Sequence, residues 1–247
     1  MKAYFLAGLF TIAASAPLAA SASVVFTGSS GSLSASASFD IVGGQLQVVL
    51  SNTSLADILV PTDVLTAVFF NVAGNPTLTR VSGISGGTTY LGTTNVSGAG
   101  TVVGGEWAYL NGLAQYSANS GISSVGLSIF GPGDVFPGAN LSGPASPDGL
   151  QYGLASAGDI QSTGNGGVLG NELTKFSDTF LLGGLPLGFL LSSISNITFQ
   201  YGTALDEGHF GGGGGGPGGS VPEPMTLALL GLGAIGIGAI RRRTSLK

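Results

Sequence analysis

The amino-acid sequence predicts an all-β fold, an antiparallel β-sandwich of the jelly-roll type, followed by a C-terminal transmembrane helix. Two observations support the β-sandwich. Apolar and polar residues alternate with a period of two in several short segments, and clusters of Gly, Pro, Asp and Ser separate these segments. Residues 23–208 offer about eight to eleven such strands, which suits one sandwich domain.

Alternation is clearest in three segments. Residues 33–39 and 46–50 flank the pair Gly43-Gly44, which suits the positive φ angles of a tight hairpin, and residues 197–201 alternate in the same way. Residues 65–72 are almost continuously apolar, which predicts a strand covered on both faces. Further strands are expected at 122–130, 150–156 and 176–182, and the only helical candidate is 106–116.

The composition excludes several classes of protein. The 247 residues include 7 Lys and Arg against 12 Asp and Glu, a net charge of −5, which excludes a nucleic-acid binder that neutralises phosphates. There is no Cys and only one His, His209, so disulfides, thiolate sites and two-imidazole metal sites are excluded. We therefore expect no cofactor. Residues 23–220 contain 11 acids and 2 bases, and 2 minus 11 makes this portion −9.

The N-terminus has the three parts of a secretory signal peptide. A basic Met1-Lys2 precedes an uncharged apolar run at 3–14, and Ala20 and Ala22 supply the small residues that signal peptidase requires at −3 and −1. The apolar run is shorter than the roughly 20 residues of a spanning helix. We predict a signal peptide at 1–22 and a mature chain that begins at Ser23.

The C-terminus has the features of a membrane segment. Residues 225–240 are uncharged and would form a helix about 24 Å long, which is short for a ~30 Å hydrocarbon core. Arg241, Arg242 and Arg243 follow directly, and such basic residues stay on the cytoplasmic side. This predicts a membrane anchor with the domain on the outer side and the arginines on the inner side.

A rigid strip precedes this helix. In Val221-Pro222-Glu223-Pro224 the two prolines fix φ and disfavour helix, so the strip is expected to be extended, as a protease substrate is when bound. Residues 209–220, rich in glycine, are predicted to be a flexible linker that holds the strip away from the domain.

The combination of VPEP, a short glycine-rich apolar helix and a terminal basic cluster, at residues 221–247, resembles the PEP-CTERM sorting signal of Gram-negative bacteria. The resemblance implies a partner, the membrane transpeptidase exosortase, which would recognise Pro222, Glu223 and Pro224 and cut at or near them. The helix and the arginines would then be discarded, so the resemblance implies that anchoring in the inner membrane is transient. The alternative is a permanent single-pass anchor with a proline-containing stalk.

The domain contains few candidates for a chemical site. His209 could form a triad with Ser and Asp residues, and Glu106, Asp134 or the pair Asp206-Glu207 could act as glycosidase carboxylates, but no motif selects a set. Solvated surface acids are the simpler interpretation of the carboxylates. We therefore predict no catalytic residue and no metal site, although Asp134 and Asp148, beside glycines, could add carboxylates to a calcium loop.

Aromatic residues suggest a second kind of site. Trp107, Tyr109 and Tyr116 could stack on a sugar ring, with core packing as the simpler interpretation. Segments 65–70 and 199–207 also resemble the domain of one group of exosortase-dependent surface proteins, which implies no particular activity.

The sequence thus predicts a non-enzymatic, exported protein of the cell surface or extracellular matrix, associated with exopolysaccharide or biofilm. Its partners would be signal peptidase, exosortase, the inner membrane and exopolysaccharide. A carbohydrate-binding jelly-roll module is the alternative, and a hydrolase is the third hypothesis.

Overall fold

The computed structural model describes residues 23–133, 135–141, 147 and 149–217. In these residues the secondary structure is almost entirely β, with a single-turn α-helix, α1 (Gly166–Leu169), which confirms the predicted class. The strands are β1 (Val24–Ser30), β2 (Leu33–Val42), β3 (Gln45–Asn52), β4 (Leu65–Val72), β5 (Thr79–Ser85), β6 (Thr89–Leu91), β7 (Thr94–Ser97), β8 (Ala108–Asn111), β9 (Ser120–Ser123), β10 (Leu154–Ala155), β11 (Glu172–Lys175), β12 (Ser177–Gly183), β13 (Ile194–Tyr201), β14 (His209–Gly211) and β15 (Gly213–Pro217).

The first sheet is antiparallel throughout, with the strand order β15-β1-β2-β3-β12-β5. Its β2–β3 hairpin turns at Gly43 and Gly44, whose φ angles are +58° and +77°. Both values are positive, as a type I′ turn requires, so the sequence prediction of this hairpin is confirmed.

The second sheet has the order β14-β13-β4-β10-β11-β6-β7, and β9 pairs with both β4 and β8. Its β10–β11 pair is parallel, so the prediction of a purely antiparallel fold was wrong at this position. Parallel neighbours need a long crossover, and residues 156–171, which include α1, supply it.

The two sheets pack face to face on an apolar core. Across it the rings of Phe39 and Phe70 lie 5.2 Å apart, and those of Trp107 and Phe180 lie 4.8 Å apart. A second core lies on the other side of β4, where Phe69 packs near Phe130 at 6.1 Å. Strand β4 is therefore covered on both faces, as its continuous apolar sequence predicted.

Three local predictions were wrong. The predicted helix at 106–116 is instead a 3₁₀ turn, strand β8 and a second 3₁₀ turn, because Trp107 and Tyr109 both face the core at strand spacing and Gly112 has a φ of +75°. The predicted strand at 122–130 ends at Ser123, before a turn with positive φ at 127 and 128. The one predicted at 150–156 is reduced to Leu154–Ala155.

Within the part of the chain that the structure describes, no helix is long and apolar enough to cross a membrane. The predicted membrane helix at 225–240 and the predicted signal peptide at 1–22 both lie outside the described residues.

Candidate functional site

The last two described strands join the sheets to each other. Strand β14 pairs with β13 at the edge of the second sheet, and β15 pairs with β1 at the edge of the first. The chain crosses between them at Gly212, whose N–H donates to the carbonyl of Ile197 at 2.8 Å. The prediction of a flexible linker is therefore wrong for residues 209–217, which belong to the sheets.

Residues 209–217, which join the two sheet edges, are called the seam. Glycine is required at two positions of the seam and its neighbour β1 because the backbones approach closely. A Cβ on Gly28 would lie 2.5 Å from the carbonyl oxygen of Gly211, and one on Gly214 would lie 2.7 Å from that of Val25. Gly214 also has a φ of +118°, a conformation that side chains strongly disfavour. At Gly214, and at Gly28 on the facing strand, the backbones thus pack too closely for a side chain.

The seam leads directly to the predicted sorting strip. Three residues, 218–220, separate the end of β15 from Val221 in the sequence, and covalent geometry limits the span from Pro217 to Val221 to about 14 Å. Any enzyme that reads Pro222, Glu223 and Pro224 must therefore work close to the edge of the folded domain, unless β15 detaches.

An open polar groove of about 520 Å³ lies beside the seam. It is lined by Tyr116, Ser117, Asn196, Ile197, Thr198 and Gly212. Asn196 lies at a β-bulge, where two residues of β13 oppose the single residue Phe70 of β4. Bulges often re-aim side chains next to binding sites.

Tyr116 is fixed on three sides. Its ring packs edge-on against Phe69 at 5.3 Å and stacks on His209 at 4.7 Å, with an interplanar angle of 27°. Its hydroxyl lies 2.8 Å from both the Gln200 side-chain oxygen and the Leu205 carbonyl. Burial raises the pKa of Tyr116, so the hydroxyl is neutral and can donate.

His209 is held more firmly than its position beside the glycine run suggested. It lies on β14, exposed to solvent, with its ring on Tyr116 and its Nδ1 3.0 Å from the backbone carbonyl of Glu207. A catalytic triad requires a carboxylate at that nitrogen. In the described structure a backbone carbonyl occupies this place.

The candidate glycosidase acids that the structure describes, Glu106, Asp206 and Glu207, lie in different surroundings. Glu207 accepts hydrogen bonds from the N–H groups of Thr203 and Ala204, so it caps its own turn, while Asp206 is exposed. Glu106 is only 1% exposed, and its Oε1 accepts from the Leu141 N–H at 2.7 Å. Each acid thus has its own surroundings.

The predicted aromatic platform is divided between the core and the surface. Trp107 is fully buried, and its Nε1 donates to the Tyr152 carbonyl at 3.2 Å, while Tyr109 is 2% exposed. Neither ring is available to a sugar, so this part of the interpretation was wrong. The sequence did contain a signal for this burial, because Tyr109 on β8 and Trp107 just before that strand are two residues apart, which is the spacing of one strand face. Of the three aromatic residues, Tyr116 alone reaches the groove.

One fully buried acid was missed. Asp178 on β12 is fully buried, and neither of its carboxylate oxygens has a hydrogen-bond partner in the described residues. Burial raises the pKa of Asp178 well above its usual range, and the nearby polar groups of Thr174 and Trp107 offset part of that rise. The sequence did indicate this burial. Asp178, Phe180 and Leu182 follow one another at intervals of two, which places all three side chains on the inward face of β12.

Several predicted site residues lie outside the described residues. They are Ala20 and Ala22, Asp134, Asp148, Val221, Pro222, Glu223, Pro224, Arg241, Arg242 and Arg243. Among the residues that the structure does describe, no cluster of three or more His, Asp or Glu side chains could hold a metal ion.

Residues 220–243 match the family described as the PEP-CTERM protein-sorting motif. The chain therefore contains this motif at the position where the VPEP strip, the apolar segment and the arginines stand in the sequence. No curated protein and no solved structure shows a significant match to the chain.

Proposed function

We propose that this protein is a non-enzymatic component of the cell surface or extracellular matrix, delivered by export and processed by exosortase at Pro222, Glu223 and Pro224. The observation that most supports it is the sorting motif at residues 220–243, which marks a chain that is exported and sorted at the membrane by exosortase. In this proposal the protein is the substrate of a transpeptidase, and the folded domain is what remains after processing.

The surroundings of the acids support a non-catalytic role. General acid–base chemistry on a glycoside needs two carboxyl groups facing the same bond, about 5 to 9.5 Å apart. Glu106 and Asp178 are buried, and Glu207 caps a turn. These environments suit structural acids and are unsuited to a shared cleft.

The charge of the domain bears on its partner. Because residues 23–220 have a net charge of −9, polyanionic polysaccharide would be repelled unless divalent cations bridged the two. Exopolysaccharide association therefore favours a neutral polymer. The same charge keeps copies of the released domain soluble.

Intact-mass spectrometry and membrane fractionation in an exosortase-producing host test the sorting step. We expect the parent chain to lose its C-terminal segment, and a variant with Pro222→Ala, Glu223→Ala and Pro224→Ala to keep it and stay in the membrane fraction. Pro132→Ala with Pro186→Ala, two exposed prolines in the domain, is the matched control and should be processed normally. Normal processing of the triple variant would show that the strip is only a stalk.

The non-enzymatic part needs a separate test. We expect no release of reducing sugar from the host polysaccharide by the purified full chain. A release that disappears in Glu106→Gln would make the protein a glycosidase. That result would overturn the structural role while leaving the sorting step intact.

A further inference from the structure

We propose that the groove lined by Tyr116, Ser117 and Asn196 is a binding site for a neutral, hydroxyl-rich glycan chain. The inference deepens the proposed matrix function and rests on it for the class of polymer that the released domain would meet. It names a place on the domain that neither the sorting motif nor the hydrophobic core explains.

The lining suits a sugar polymer. The groove is open along the surface, and its volume of about 520 Å³ lies within the range of small-molecule sites. Ser117, Asn196 and Thr198 line it from two elements, and their hydroxyl and amide groups can donate as well as accept. The Asn196 Nδ2 also donates to the Ser117 carbonyl at 3.5 Å, which links the two sides of the lining. Sugar hydroxyls need partners of this dual character.

The backbone of the groove is strained. Tyr116, Ser117 and Asn196 have φ angles of +54°, +60° and +52°, so three lining residues that are not glycine adopt left-handed conformations. Such conformations are disfavoured for residues other than glycine and persist only where the surrounding structure enforces them, which is commonest at functional sites. In this protein they place two polar side chains and one ring around one groove.

Tyr116 is the aromatic residue of the groove lining. The exposed His209, which is not part of the lining, stacks on the Tyr116 ring and helps to hold it in place. Phe69 supports Tyr116 from inside, and the Tyr116 hydroxyl is engaged by Gln200 and Leu205. A pre-organised ring loses little entropy when a sugar ring covers it.

Charge selects a neutral ligand. Burial raises the pKa of Tyr116, and the negative charge of the nearby Asp206 raises it further. Glu207 lies in the adjoining turn. With a net charge of −9 on residues 23–220, an acidic polysaccharide would be repelled here. A neutral glucan or mannan would not be repelled by this charge.

Affinity electrophoresis of the full chain in nonionic detergent tests the site. Native gels would contain dextran, hydroxyethyl cellulose or galactomannan, with alginate as the anionic comparison. We expect at least one neutral polymer to retard the parent. Asn196→Gly removes the amide while permitting the positive φ. It should raise the apparent dissociation constant about fivefold, which is the effect of one lost hydrogen bond.

Two further variants complete the design. Asn75→Gly, at an exposed turn with a φ of +44°, is the matched control and should migrate as the parent does. His209→Ala should weaken retardation and His209→Phe should restore it, because phenylalanine keeps a ring on Tyr116. No retardation by any neutral polymer, retardation by alginate alone, or retardation unchanged by Asn196→Gly and His209→Ala would each overturn the site. None of these results would alter the processing test of the sorting motif.

Discussion

Asp57 and Asp159 each hold the loop that contains the other. The Asp57 carboxylate accepts from the N–H of Ile160 at 2.8 Å, and the Asp159 carboxylate accepts from the N–H of Ile58 at 3.1 Å. The buried Tyr90 hydroxyl donates to Asp159. This reciprocal pair joins two loops that are about a hundred residues apart in the sequence and lie over the second core.

Removing the donor to Asp159 should destabilise the domain. In Tyr90→Phe the buried carboxylate loses a hydrogen bond and cannot regain water, which costs about 1–3 kcal/mol of unfolding free energy. Urea denaturation followed by circular dichroism would measure it. Tyr109→Phe is the matched control, because that hydroxyl lies 3.3 Å from the neutral Ser120 hydroxyl, and its loss should cost less. Equal losses in the two variants would contradict the role of the Asp159 contact.

The sequence predicts best the strands that have one face in the core and one in water. Residues 33–39, 46–50 and 197–201 alternate because their side chains meet two different environments, and each lies within a strand of the structure. Strand β4 was predicted for the opposite reason, since both of its faces are buried.

Strand β15 could not be predicted in this way. Four of its five residues are glycines, which have no side chain to alternate, and its pairing depends on β1, which is almost two hundred residues earlier in the chain. The parallel β10–β11 pair likewise depends on a contact between distant segments. Local patterns contain no information on either pairing.

Of the groove residues, Tyr116 was a sequence candidate and Asn196 was not. The spacing of the apolar residues did contain a signal, because Ile194 and Ile197 are three apart, whereas Ile197, Phe199 and Tyr201 are two apart. One extra residue in an alternating strand indicates a bulge. The left-handed φ angles that shape the groove depend on tertiary packing and leave no such pattern.

A side chain at Gly28 should disrupt the seam. The Cβ of Gly28→Ala would lie 2.5 Å from the Gly211 carbonyl oxygen and 2.9 Å from the Phe210 ring, so a strand must shift, at a cost of about 1–3 kcal/mol. Limited proteolysis should then cut first near residues 209–217. Gly98→Ala, where an added Cβ meets nothing within 4 Å, should change stability by less than about 0.5 kcal/mol. Equal protection of the seam in the two variants would contradict its role as a packed junction.

The mature N-terminus should be Ser23. Cleavage after Ala22 leaves the chain beginning one residue before β1, so the mature chain keeps the whole of this strand. Mass mapping of the exported protein would measure it. A retained Met1 would contradict export by a cleaved signal peptide, and cleavage within β1 would contradict the proposed site.

Replacing Asp178 should change how stability depends on pH. Because burial raises the pKa of Asp178, the folded state holds its proton above pH 3.8, where the unfolded state releases it. Stability from this group is therefore complete at low pH and is lost as pH rises toward the folded pKa, with a slope of at most about 1.4 kcal/mol per pH unit. Asp178→Asn has no proton to lose, so it should be more stable than the parent at pH 7 and show a smaller decline from pH 4 to 8.

Asp57→Asn provides a comparison of opposite sign. Hydrogen bonds from Thr163 and Ile160 lower the pKa of Asp57, so its stabilisation is present above pH 3.8 and is lost as pH falls through the lower folded value. This variant should be less stable than the parent at pH 7 and should approach it in acid. Thermal unfolding from pH 3 to 8 would measure both variants. If Asp178→Asn lost stability from pH 4 to 8 as steeply as the parent does, the raised pKa of Asp178 would be contradicted.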